Sequence, residues 1–167
     1  MFVHVSDFIH VWKQELANTA KLFEVLTDES LALPQHDSIR SVGRVAWHII
    51  TTIPEMFQRM GVDLGWPTEK DPIPKMASEF KAAYAKHAQA VITEISKWQD
   101  PDLQKEDDMY GQKWQRGLTL WIFLKHEIHH RGQLTVLMRL AGIEEMPGIY
   151  GPSKEEWAKY GMPEPEF

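Results

Sequence analysis

Four stretches of this chain place apolar side chains at steps of three and four residues, and no stretch alternates convincingly with a period of two. The first begins near Ser6 and puts Phe8, Ile9, Trp12, Leu16, Thr19, Leu22, Phe23 and Leu26 on one face. Thr27 to Ser38, with Pro34 inside it, breaks that pattern. Ser41 is the expected N-cap of a second helix that runs towards Met60 and stops at Gly61. Its buried stripe is Val42, Val45, Ile49, Thr52, Ile53 and Met56, and Pro54 should remove one hydrogen bond and kink it. A third helix is expected from Met76–Ser78 to near Trp98, through Phe80, Ala83, Tyr84, His87, Val91 and Ile95. The fourth and clearest runs from Gly117 to Leu140, with Gly142 at the C′ position. Gly61 to Pro74 reads as a long connection and Ile143 to Pro152 as a crossing segment rich in proline and glycine. Ser153 followed by Glu156 matches a capping box and predicts a short helix to about Tyr160 before a frayed tail. Residues 100–116, acidic and then aromatic, fit no element.

Amphipathic helices of roughly 20 residues, each about 30 Å long, bury their apolar faces only against one another. The expected fold is therefore all-α: a four-helix bundle with a short extra C-terminal helix, in one domain over residues 1–167. Apolar residues make up 43% of the chain, enough to fill such a core.

Charge and composition narrow the partners. The formal net charge is −6, and lysine and arginine form no stripe, which argues against nucleic acid and an anionic membrane surface. No stretch approaches the roughly 18 apolar residues of a membrane span. The N-terminal segment, with Asp7 and Glu15, lacks the pattern of a signal peptide. There is no cysteine, so disulfides, thiolate metal sites and a cysteine nucleophile are absent. A cytoplasmic protein is expected.

The chain carries eight histidines. His4, His10, His36 and His87 read as solvent-facing or hydrogen-bonded residues. His126 and His130 lie one helical turn apart, so their rings project side by side and can share a cation. Phe123, Gln133 and Leu137 continue their face, which directs them into the bundle, where buried imidazoles need partners. His48, beside Val45 and Thr52 on the inner stripe of the second helix, would complete a three-histidine set that leaves a coordination position open. The competing reading makes all three core residues that satisfy hydrogen bonds. His126-Glu-Ile-His-His130 also spells the zinc-protease pattern H-E-x-x-H. Gln133 and Val136 stand where its extended form has glycine and histidine, and no strand edge is evident for a peptide. Glu127 is a candidate base for another reaction or a solvated helix glutamate.

The run His126-Glu-Ile-His-His130-Arg-Gly-Gln133-Leu, then Leu137-Met-Arg-Leu-Ala-Gly142 and Pro147-Gly-Ile-Tyr150-Gly-Pro152, resembles the C-terminal signature of the DinB/YfiT-like superfamily of metalloenzymes. Ser41-x-x-Arg44-Val-Ala-Trp47-His48-Ile resembles its second-helix motif, and Trp12 and the Leu31-x-x-Pro34 loop fit its opening. The resemblance covers nearly the whole chain. It implies a four-helix bundle, often a homodimer, with one divalent metal (nickel, zinc or iron) on three histidines, which fall here on His48, His126 and His130. Some members of the superfamily transfer low-molecular-weight thiols such as bacillithiol or glutathione to electrophiles. Others isomerise maleylpyruvate with mycothiol.

Three neutral imidazoles leave the charge of a divalent cation uncompensated, which activates water or captures a thiol as thiolate. The favoured reading is metal-dependent transfer of a small thiol to a small-molecule substrate, with Glu127 or His129 managing the proton. Metal-dependent hydrolysis of a small molecule is the alternative, and a non-catalytic, stress-associated metal-binding role is the third. Trp47, Trp121 and Tyr150 are candidates for a pocket lining, and Arg131 and Gln133 for support behind the ligands, with an ordinary ion pair the other reading of Arg131. Met60, Trp66, Met76 and Trp114 form an apolar surplus in or near loops that hints at a dimer contact.

Overall fold

Each of the four periodic stretches forms the helix its pattern requires: α1 (Val5–Glu24), α2 (Val42–Arg59), α3 (Ala77–Ile95) and α4 (Arg116–Leu140). The computed structural model describes residues 1–34, 36–65 and 67–163, so Trp66 and the last four residues lie outside the described part. α2 packs on α4 and α3, and α1 on α3 and α4, which sets the helices at the corners of a square with α1 diagonal to α2. The buried stripes meet in one apolar cluster. At its centre Trp12 packs on Phe123 with ring centroids 4.9 Å apart, and its indole N–H donates to the Ala88 carbonyl at 2.9 Å.

Local signals set the helix ends. The Ser41 hydroxyl accepts from the Arg44 N–H at 3.2 Å and caps α2. α2 runs unbroken through Pro54. Gly142, at φ 86°, closes α4 in the left-handed conformation, with the Ile143 N–H donating to the Met138 carbonyl at 3.0 Å. Met60, counted as apolar surplus, is the last buried residue of the α2 stripe and 1% exposed, whereas Met76 is 51% exposed. The short C-terminal helix is a 3-10 helix, Lys154–Tyr160, whose Glu156 carboxylate accepts from the Ser153 and Gly148 N–H groups. Among the described residues no helix is long and apolar enough to cross a membrane.

Residues 100–116 hold what periodicity did not show. A 3-10 turn over Asp100–Gln104 leads into an antiparallel hairpin, β1 (Glu106–Met109) and β2 (Gln112–Gln115), with Met109 paired to Gln112. Tyr110 and Gly111 form its two-residue turn, both with positive φ. The hairpin lies over α2 and α4. Arg116 ties it down, with its Nε donating to Asp107 at 2.7 Å and its terminal nitrogen to the Met60 carbonyl at 2.9 Å.

The chain's N-terminal segment crosses the start of α4 at close range. The Phe2 N–H donates to the Gly117 carbonyl at 3.1 Å, and a Cβ at Gly117 would sit 2.2 Å from the Phe2 carbonyl oxygen. Both groups are backbone and neither can swing aside. Gly117→Ala should therefore destabilise the fold by about 1–3 kcal/mol, read as a lower urea midpoint. An unchanged midpoint would contradict this close approach.

Candidate metal centre

The α2–α4 contact places His48 of α2 opposite His126 and His130 of α4. His126 Nε2 lies 3.3 Å from His48 Nε2 and 3.1 Å from His130 Nε2, and the three donor atoms all fall within 4.8 Å of one another. Donors about 2.1 Å from a shared cation stand about 3.0 Å apart at right-angled coordination and about 3.4 Å apart at tetrahedral coordination. The observed spacings fit that range.

Hydrogen bonds behind the rings settle which nitrogens face inward. His48 Nδ1 donates to Glu69 Oε1, which also accepts from the Thr51 hydroxyl at 3.0 Å, while Arg44 pairs with Oε2 at 2.7 Å. His130 Nδ1 donates to Gln133 Oε1 at 2.8 Å, and the Gln133 amide N–H donates to His129 Nε2 at 3.0 Å. A neutral imidazole has one N–H, so His48 and His130 point lone pairs at the same spot. His126 Nε2 lies within hydrogen-bond distance of both, and a divalent cation at that spot would satisfy all three nitrogens. The residues present fit a metal, held by His48, His126 and His130. Glu69 was not singled out from the sequence, because it lies 21 residues from His48 in the connection after α2, where no period links the two.

Electrostatics favour the ligand form of His126 and His130. Burial, followed by the neighbouring His130 and His48 rings, pushes the His126 pKa down to about 4. Burial also lowers His130, opposed by its bond to Gln133 and assisted by the His48, His129 and Arg40 charges. Burial raises the Glu69 carboxyl, but the bonds from His48, Thr51 and Arg44 outweigh it and hold the group below its ordinary value.

The structure does not bring Glu127 to the histidines. One residue on from His126, its side chain turns about 100° round the helix into the core, where it is 2% exposed. Its Oε1 accepts from the Thr19 and Tyr84 hydroxyls, each at 2.7 Å, and its Oε2 is buried without a hydrogen-bond partner among the described residues. Burial pushes its pKa up to about 7 despite the donors from Tyr84 and Thr19. Arg131, one turn further, forms a buried ion pair with Glu15 at 2.5 Å and donates to the Thr19 hydroxyl at 3.1 Å. Tyr150 reaches over the bundle to this network, donating to Glu15 at 2.7 Å and accepting from Arg131, and not to the histidines. Trp47 is wholly buried against Phe80, and Trp121 meets Phe2 edge to face with the Lys125 ammonium over its ring, so neither lines the site. His129 is exposed beside His130, with Gln133 bonded to its Nε2.

Two clefts reach the histidine cluster. One, of about 300 Å³, is walled by His48, His126, Thr52, Glu55, Glu69 and Tyr110. The other, of about 590 Å³, has His130, His129 and Gln133 in its wall, together with Arg40 and apolar side chains. Both volumes suit small molecules. No carboxylate joins the three-histidine group among the described residues, so a cation held there would keep coordination positions for other ligands.

A family profile described as the DinB family matches residues 1–166. The chain is 37% identical, over the whole of both chains, to the uncharacterized protein YrdA of Bacillus subtilis (strain 168). A DinB-like protein of Bacillus cereus ATCC 10987 has a solved structure that matches with a TM-score of 0.84 at 36% identity, covering 90% of this chain and all of that one. A second, the DinB-like protein YjoA of Bacillus subtilis, matches with a TM-score of 0.68 at 16% identity over 86% of this chain and 97% of that one, a likeness of fold.

Glu69→Ala leaves the three donors in place but frees the His48 ring. It should weaken metal affinity by about ten- to a hundred-fold, measured by competition with a chromophoric chelator. Unaltered affinity would remove Glu69 from the site.

In metal-free protein two linkages oppose each other. His126, lowered from 6.5 to about 4, withdraws stability as pH falls through that interval. Glu127, raised from 4.5 to about 7, withdraws it as pH rises through that largely overlapping interval. Glu127→Gln removes only the second effect. Its melting temperature relative to wild type should therefore climb between about pH 4.5 and about pH 7, and a flat difference would show that Glu127 stays ionised in the core.

Proposed function

This chain belongs to the DinB family, and from that membership we propose that it is a metal-dependent transferase that joins a low-molecular-weight thiol to an electrophilic small molecule at His48, His126 and His130. A divalent cation held there, nickel, zinc or iron, all of which imidazole donors accept, would supply Lewis acidity and lower the pKa of a thiol or water beside it.

The observation that carries the reading is the pair of clefts meeting the histidines from different sides. Transfer needs two organic substrates to converge, whereas hydrolysis needs one and water. The chain has no cysteine, so the sulfur comes from a cosubstrate. Glu69 and Gln133 hold the His48 and His130 rings in one tautomer and orientation. Apolar side chains in the wall of the larger cleft offer a surface for the body of an organic substrate. In the reaction the sulfur forms the new C–S bond, the leaving group departs with its electron pair, and the thiol proton passes to solvent.

The test incubates zinc- and nickel-loaded protein with glutathione or bacillithiol and chlorodinitrobenzene, following thioether formation and chloride release. Conjugation that depends on metal and disappears in His130→Ala is expected. Hydrolysis of nitrophenyl acetate by loaded protein, with no conjugation for any thiol, would overturn transfer in favour of the hydrolytic alternative.

A further inference from the structure

The two clefts beside the histidines differ in charge. The smaller carries the carboxylates of Glu55 and Glu69. The larger has no carboxylate in its wall, and Arg40 is its one fully charged side chain.

Arg40 also stands apart from every other arginine. The chain has six, and five hold a carboxylate: Arg44 pairs with Glu69, Arg59 with Glu55, Arg116 with Asp107, Arg131 with Glu15 and Arg139 with Glu155. Arg40 pairs with no carboxylate among the described residues, in a chain whose net charge is −6. It is exposed, directly ahead of α2, at the same cleft that contains His130. The facing surface is apolar: Ile39 is 43% and Val136 59% exposed, with Leu137 buried beside them. A guanidinium matches the oxygens of a carboxylate or phosphate in a planar fork, which a solvated lysine does less well.

We propose that the larger cleft binds a small organic anion, whose carboxylate or phosphate group is held by Arg40 and whose apolar body lies on Ile39, Val136 and Leu137, with its reacting end towards His130. The assignment rests on the histidine centre being an open reaction site and is independent of whether sulfur is the atom transferred. It adds charge selection to the site.

The test titrates phenylbutyrate, phenylbutyl phosphate and the neutral phenylbutyramide into zinc-loaded and metal-stripped protein, followed by amide chemical shifts. The anions should bind more tightly than the amide in both forms, and shifts should cluster on Ile39, Val136 and Leu137. Arg40→Gln should weaken the anions by about ten-fold and leave the amide unchanged, while Arg40→Lys recovers part of the loss. The relative affinity of the carboxylate and the phosphate identifies which group the fork prefers. Equal binding of anions and amide, no binding at all, or an anion preference that survives Arg40→Gln would overturn the proposal. An anion preference seen only with zinc present and indifferent to Arg40 would assign the anion to the metal and overturn it as well. Failure of thiol transfer alone leaves these titrations unaffected, so the two readings fall separately.

Discussion

The buried ion pair between Arg131 and Glu15 fixes how α4 is turned about its own axis. A charge pair with side-chain exposures of 3% and 9% tolerates little displacement, because moving either partner leaves the other charged in an apolar interior. Thr19 and Tyr84 extend the constraint to Glu127, one turn earlier on α4. With Glu127 and Arg131 committed to α1 and α3, His126 and His130 are carried round to the side of α4 that meets α2. Tyr150 closes the same network from the crossing segment, so the chain beyond α4 helps to hold the helix in register.

That geometry separates two kinds of polar cluster within one bundle. On the inner side, one arginine and two carboxylates are tied together with hydroxyls, and burial raises the Glu127 pKa. On the side of α2, burial lowers the His126 and His130 pKa values, and the outer nitrogens of His48 and His130 are anchored on Glu69 and Gln133. The first cluster is closed and structural. The second brings three histidine nitrogens together with no carboxylate in the group among the described residues, an arrangement compatible with a divalent cation.

Much of this was legible in the chain. Period, Ser41 and the glycines at the ends of α2 and α4 gave the helices nearly to the residue, and the four-residue step between His126 and His130 pointed to a shared ligand. The hairpin was hidden because its strands are four residues each and mostly polar, and its turn is Tyr110-Gly111 in place of a stronger turn pair. The burial of Glu15, Glu127 and Arg131 had a signal that composition masked: Glu15 falls on the stripe of Phe8, Trp12, Thr19 and Leu22, and a charged residue in apolar register needs a buried partner. Glu69 had no such signal, since a loop residue is placed by tertiary closure alone.

Metal stoichiometry is the most direct test of the three-histidine centre. Untagged wild-type protein, His48→Ala and His130→Ala would be purified alongside one another, checked for folding by circular dichroism, and analysed by inductively coupled plasma mass spectrometry. About one equivalent of zinc or nickel per chain in the wild type, lost in both folded variants, is the expected result. No stoichiometric metal after supplementation with either cation, or metal retained in both variants, would contradict it and return the histidines to the core.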